Sequence, residues 1–231
     1  MKLHRFIGDF NLSQKTVEIT DFQIIKQIRA VLRLSAGDTV ILSDGKGREA
    51  EVILELVSND KVTGAISNVS ESKESGRKVN LYLAILKKEN FELAVQKAVE
   101  AGVKNIIPVI TERTVKTGLN TERLEKIIRE ASEQCGRSIV PTLFPILEFE
   151  DAVRDGSEAD EKIIFHLSEQ AYAPDKKAST ASILIGPEGG FTDAEVIRAK
   201  EVGYTPASLG PLTFRGETAA IIATYRAVSG I

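Results

Sequence analysis

Ser182-Ile-Leu-Ile-Gly-Pro-Glu-Gly-Gly-Phe-Thr-Asp-Ala-Glu195, followed at short range by Ser208-Leu-Gly-Pro-Leu-Thr-Phe-Arg-Gly-Glu-Thr-Ala-Ala220, decides how this chain is read. Each segment is a short apolar run that breaks at glycine and proline before a helical pattern resumes. Strand ends that open into glycine turns at the carboxyl edge of a parallel sheet are where α/β proteins take up ligands, because glycine lets the backbone approach and leaves N–H groups free. Gly186 to Phe191 and Leu209 to Gly216 are therefore expected to form two walls of one pocket. Glycines alone fit an ordinary strand–turn–helix connection equally well.

The first wall has neither the Lys-Ser/Thr ending of a phosphate loop nor the G-x-G-x-x-G spacing of a dinucleotide fingerprint. Thr192-Asp-Ala-Glu195 has the form of a capping box, which starts a helix directly after the loop.

Outward from this region the pattern alternates. A buried strand is expected at Val79–Leu86, a helix at Asn90–Ala101 with Gly102 as its stop, and a strand at Asn105–Ile110. A helix at Thr121–Cys135, a strand near Leu143, a short helix at Phe149–Arg154 and a strand at Lys162–Leu167 follow. Strand–helix–strand repetition implies a parallel sheet, hence an α/β domain. The last helix, Glu217–Val228, is apolar or small on almost every side, which implies burial all round by the fold or at a subunit interface.

Residues 1–70 read as short strands with one helix, capped by Asp21 and running to about Leu32 with Ile24, Ile25 and Ile28 on one face. Asp44-Gly-Lys-Gly47 is a hairpin turn by its chemistry, and the whole suggests a small β-barrel. Ser70–Lys78 lacks any large apolar residue and is the expected linker, so the domains are set at 1–72 and 73–231.

The 231 residues carry a net charge of −3, with twelve Lys and Arg against eleven Asp and Glu in 1–78 and eighteen against twenty-two in 79–231. Any nucleic-acid surface must be local. No apolar run approaches a membrane span and the start has no signal-peptide core, so a cytoplasmic protein is expected. One cysteine, Cys135, and two histidines, His4 and His166, provide no internal disulfide and no metal cluster.

The pair IGPEGGF and LGP...R-x-E-T-A resembles the SPOUT class of RNA methyltransferases, most closely the RsmE family, which methylates N3 of a uridine in small-subunit (16S) ribosomal RNA. Ala94–Val103 is similar to the family's helix ending in E-L-G-V, Thr111-Glu-Arg-Thr114 to its S/T-E-R loop, and Ala131–Arg137 with Pro141 to its E-Q-C/S-G-R...P segment. The resemblance implies a PUA-like RNA-binding β-barrel before a SPOUT α/β domain with a C-terminal trefoil knot, a homodimer, and S-adenosylmethionine as cofactor. The cofactor-binding residues it implies are His166, Leu167, Ile185, Gly186, Pro187, Glu188, Gly189, Gly190, Leu209, Gly210, Leu212, Phe214 and Thr218. A valine at Gly189 is expected to block that pocket.

Methyl transfer needs a positioned donor and an electron-rich acceptor, and uridine N3 must lose a proton. Arg215 is the expected cation beside the uracil oxygens. Glu217 is a candidate base, with holding Arg215 or serving the helix dipole as the favoured role. Arg5, Arg29, Arg33 and Arg137 are candidate RNA contacts. The family pattern L-G-P-R-x-L-R-x-E-T departs at one place, where its first arginine is Leu212. That leaves two other readings, a SPOUT methyltransferase with another RNA target and a ribosome-assembly protein that binds RNA without catalysis.

Overall fold

The computed structural model describes residues 3–72, 76–115, 117–167 and 170–231. Two compact units divide the chain, Met1–Glu74 with Ser132–Val140, and Ser75–Ala131 with Pro141–Ile231. Of the expected linker, Ser70 and Glu71 still belong to a strand, Lys78 opens the next one, and 73–75 lie outside the described residues. The segment 132–140, assigned by sequence to the second domain, clusters with the first unit. Glu133 accounts for this, its Oε1 accepting the N–H of Ile7 at 2.8 Å, and Gly47 donates to the carbonyl of Ser138 at 3.1 Å.

The first unit contains β1 (His4–Ile7), β2 (Thr16–Ile19), α1 (Phe22–Lys26), β3 (Thr39–Ser43), β4 (Arg48–Val57) and β5 (Val62–Glu71). Its sheet runs β1-β3-β4-β5-β2, with β1 parallel to β3 and the other pairs antiparallel. Strand alternation puts Ala50, Val52 and Leu54 of β4 into a core shared with Phe6, Leu42 and Val62, and Ile24, Ile25 and Ile28 close it from the helical segment. Asp21 caps α1 by accepting from the N–H groups of Gln23 and Ile24 at 2.7 and 3.1 Å. The helix does not continue regularly to Leu32, because residues Gln27–Val31 widen into a π turn. The β3–β4 turn is held by Asp44, whose Oδ1 accepts from Lys46 and Arg48, with Gly45 and Gly47 at positive φ.

The second unit contains β6 (Lys78–Ala84), α2 (Lys88–Glu100), β7 (Asn105–Ile110), most of α3 (Thr121–Cys135), β8 (Thr142–Leu143), β9 (Leu147–Glu148), α4 (Phe149–Asp155), β10 (Glu161–Phe165), β11 (Thr180–Ile185), α5 (Asp193–Glu201), β12 (Thr205–Ala207) and α6 (Gly216–Ser229). Its strands are all parallel, in the order β12-β10-β11-β6-β7-β8, with β9 also on β7. One face buries Tyr82, Ile107, Val109, Ile164 and Leu184 against α4 and α5, and α2 and α6 pack together on the strands from the other side. The fold of the single chain does not enclose helix α6 on every side. Ala220, Ala223, Thr224 and Ala227 are enclosed, whereas Tyr225 is 53% exposed and Ile221 and Ile222 are half-buried. Among the described residues no helix is long and apolar enough to cross a membrane.

A buried ionic cluster ties the end of α6 to the start of β10. Glu161 lies 2.8 Å from Arg77, both under one-tenth exposed, and accepts from the Tyr172 hydroxyl at 2.8 Å and the Asp175 N–H at 2.7 Å. Arg77 also donates to the carbonyl of Ala227, and Arg226 to that of Tyr172. Burial, followed by the hydrogen bond and charge of Glu161, pushes the Tyr172 hydroxyl pKa upward. Removing one partner of a buried pair strands the other charge. Arg77→Ala is therefore expected to lower stability by about 3 kcal/mol in urea unfolding, and a loss near zero would refute the pairing.

Candidate functional site

Because the strands are parallel, the carboxyl ends of β10, β11 and β12 open at one edge of the sheet, the usual place for a ligand in an α/β fold. A cavity of about 810 Å³ lies there. It is lined by the segments leaving β11 (Ile185–Phe191), β10 (Phe165–Leu167) and β12 (Ala207–Gly210), by Leu212–Glu217 and Ala219, and by Lys87, Asn90 and Arg113. The two glycine-proline segments meet directly. A side-chain carbon at Gly216 would stand 3.5 Å from the Gly186 carbonyl, in van der Waals contact with the first wall, and 2.8 Å from a methyl carbon of Leu86, which would have to give way.

The first wall is held by carboxylates. Gly190 donates to the Pro187 carbonyl at 2.8 Å and takes φ 69°, closing a turn. Glu188 Oε1 accepts the N–H of Lys87 at 3.0 Å and joins this turn to the start of α2. The capping box forms as expected, with Thr192 Oγ1 accepting the Glu195 N–H and Glu195 Oε2 accepting the Thr192 N–H at 2.8 Å. Glu195 does more than cap. Its Oε1 accepts the Glu112 N–H at 2.9 Å, so a buried carboxylate bridges the end of β7 to the start of α5.

Arg113 completes the latch. Its Nη1 donates to the carbonyls of Gly189 and Phe191 at 2.7 and 3.4 Å. Gly189 lines the cavity, and a carbon added there would meet the Arg113 side chain at 3.3 Å, so glycine also makes room for the arginine. Added carbons at Gly190 and Gly210 would meet nothing within 4 Å.

Of the residues expected to bind cofactor, all but Thr218 line the cavity. Thr218 does not line it, whereas its neighbours Glu217 and Ala219 do. His166 is half-buried at the rim, its N–H bonded to the Ala207 carbonyl, and Leu167 and Leu212 are 75% and 74% exposed. Arg215 is the N-cap of α6, exposed and without a side-chain capping bond. Glu217 is 7% exposed, and its buried Oε2 has no hydrogen-bond partner. Among the described residues no ion pair joins it to Arg215, so it does not hold that arginine, while it does stand in the first turn of α6, where a carboxylate faces the positive end of the helix dipole.

The other candidates are spread over the first unit. Arg5 is committed to Glu49 at 3.1 Å with both side chains largely buried, and burial pushes the Glu49 carboxyl up against the pull of that arginine. Arg29 and Arg33 are exposed, and Arg137 is half-buried in the 132–140 segment. Lys87, Asn90 and Arg113 were not assigned to the site from sequence. Arg113 lies in the T-E-R segment that follows β7, and its position beyond a parallel strand end was the signal available.

Glu195→Gln leaves a single carbonyl where two carboxylate oxygens now accept N–H groups. A loss of about 1–2 kcal/mol in thermal or urea unfolding is expected, and unchanged stability would mean that the bridge contributes nothing.

Known proteins agree with this geometry. A family model described as the RNA methyltransferase domain matches residues 73–228, and one described as the RNA methyltransferase PUA domain matches 19–67. Ribosomal RNA small subunit methyltransferase E of Mesomycoplasma hyopneumoniae is 33% identical over 177 residues, 73% of this chain and 77% of that protein. The protein of the same name from Bacillus subtilis is 30% identical over 216 residues, 86% and 84% of the two chains. The crystal structure of a ribosomal RNA small subunit methyltransferase E from Neisseria gonorrhoeae bound to S-adenosylmethionine superposes with a TM-score of 0.89 at 28% identity, covering 96% of this chain and 95% of that one. A methyltransferase from Legionella pneumophila in complex with S-adenosylmethionine gives 0.84 at 30% identity, covering 97% and 96%. The chain therefore belongs to the RNA methyltransferase family, with a PUA-type first domain, as a relative of the ribosomal RNA small subunit methyltransferases E.

Proposed function

We propose that this chain transfers the methyl group of S-adenosylmethionine to N3 of a uridine in small-subunit ribosomal RNA. The observation that carries the reading is the cavity where two glycine-proline walls meet around an unpaired, buried carboxylate and an exposed arginine. The residues present fit a bent nucleoside. Two glycines on the lining, Gly190 and Gly210, leave open space where side chains would stand, and the apolar Ile185, Leu209 and Phe214 offer flat contact. Relatives whose structures carry S-adenosylmethionine at high overall similarity support the same assignment.

S-adenosylmethionine supplies an electrophilic methyl group. The chain's own residues have three tasks. Ile185–Gly190 with Leu209, Gly210, Leu212 and Phe214 hold and orient the donor, with His166 and Leu167 at the rim, and the Arg113 clamp keeps that wall in shape. Arg215 stabilises the charge that gathers on the uracil oxygens as N3 loses its proton. Glu217, with one buried oxygen unpaired, accepts that proton. The cavity-lining Pro187 and Glu188 act as scaffold, since Glu188 is bonded to the start of α2.

The reading extends to a homodimer and a trefoil knot in the second unit. The exposed Tyr225 and half-buried Ile221 and Ile222 of α6 are apolar surface that a second copy would cover. A cytoplasmic location follows from a ribosomal RNA substrate. Leu212, 74% exposed on the rim where the family pattern has arginine, favours one alternative, a different nucleotide as target.

Incubation with labelled S-adenosylmethionine and unmodified small ribosomal subunits is expected to deliver label to N3 of uridine. Label on another base or on ribose would replace the target, and failure to bind S-adenosylmethionine in calorimetry would favour RNA binding without catalysis. Arg215→Ala and Glu217→Gln are each expected to lower turnover by about 100-fold or more while the dissociation constant for S-adenosylmethionine changes little. Turnover that survives either change removes that residue from the chemistry.

A further inference from the structure

Tyr172 lies on the crossing from β10 to β11, in no strand or helix, yet it is 2% exposed while its neighbours Ala171 and Ala173 face solvent. Each of its polar atoms is engaged. The N–H donates to the Ser208 carbonyl at 2.8 Å, the carbonyl accepts from Arg226 Nη2 at 2.7 Å, and the hydroxyl donates to Glu161 at 2.8 Å. Its ring meets Phe165 edge to face, with 5.1 Å between centroids, and the Arg226 guanidinium stands 5.5 Å over it.

These contacts reach two separate parts of the site. Ser208 and Phe165 line the cavity. Ser208 is gripped twice by the crossing, because its own N–H also donates to the Gln170 carbonyl at 2.8 Å, in a short parallel bridge opposite Ala171. Arg226 belongs to the last turn of α6, whose start carries Arg215 and Glu217. Arg77, paired with Glu161, donates to the carbonyl of Ala227, so the cluster around Tyr172 holds the end of α6 at two places. A hydrogen-bonded helix moves as a rod, so a displacement at Arg226 is carried to Glu217, about 14 Å away at 1.5 Å per residue. The covalent route from the second wall to α6 is softer. Residues 209–215 contain no regular element, and Gly210 takes φ 140°.

We propose that Tyr172 is a positioning residue for methyl transfer, fixing the second cavity wall against the helix that carries Arg215 and Glu217. The wall orients the donor, and the helix presents the groups that act on the acceptor. In-line displacement is sensitive to errors of about 1 Å between the two. This deepens the proposed function and rests on it.

The test measures kcat with S-adenosylmethionine and unmodified small ribosomal subunits, and the dissociation constant for S-adenosylmethionine by calorimetry, at a temperature where melting curves show the variants folded. Tyr172→Leu removes the ring and the hydroxyl. Arg226→Met removes the donor to the Tyr172 carbonyl from a half-buried position, and decides the matter if Tyr172→Leu does not fold. Each is expected to lower kcat about tenfold or more, with the dissociation constant within about threefold of the parent. Arg226→Lys, which still donates to that carbonyl, is expected to recover most of the rate. A merely structural role would lower the melting temperature and leave kcat of the folded variants at the parent value, which overturns the proposal. So does a loss confined to cofactor affinity, or an Arg226→Lys variant as slow as Arg226→Met. If the parent protein transfers no methyl label, the functional reading fails and takes this one with it; if the parent is active and both folded variants keep its rate, only the positioning role falls.

Discussion

Strand β11 is hydrogen-bonded on both sides, to β6 and to β10, and Ala181–Ile185 along it are buried. A strand in that position must be apolar on both faces, and Ser182-Ile-Leu-Ile185 meets this requirement except at Ser182. Parallel pairing leaves no freedom in direction. Once β11 is central, its carboxyl end and those of β10 and β12 emerge at one edge, and the glycine-rich turn after Ile185 opens into the cavity. The gap arises because neighbouring strands are reached through long crossovers that leave the edge in different directions.

A loop built of glycines would be soft without outside support, and two glutamates with one arginine supply it. Glu188 binds the start of α2, Glu195 binds the second residue after β7, and Arg113 from that same turn binds two carbonyls of the loop. Charged hydrogen bonds to backbone groups are stronger than neutral ones and directional, so they fix the shape of a wall that has few side chains of its own. Glu217 differs from them. Its buried oxygen is unsatisfied, a condition that proteins keep where a ligand completes the bonding.

The departures from expectation share a cause. Arg5 was expected to contact RNA, yet it pairs with Glu49, and Glu133 near the end of α3 anchors the N–H of Ile7. Each partner is more than forty positions away, beyond the reach of periodicity or local turn chemistry. The π turn at Gln27–Val31 was equally invisible, because its apolar spacing is also that of an α-helix.

Sequence alone determined the α/β alternation, the placement of most strands and helices, the capping box and the two cavity walls, because these depend on side-chain period, on capping chemistry within four residues and on where glycine interrupts an apolar run. Only the tertiary structure decided that 132–140 joins the first unit, that Glu195 and Arg113 reach across to support the wall, and that Arg33 takes a positive φ. Those features are set by contacts between residues distant in the chain, or by a backbone torsion that no residue type compels, and neither is encoded in local pattern.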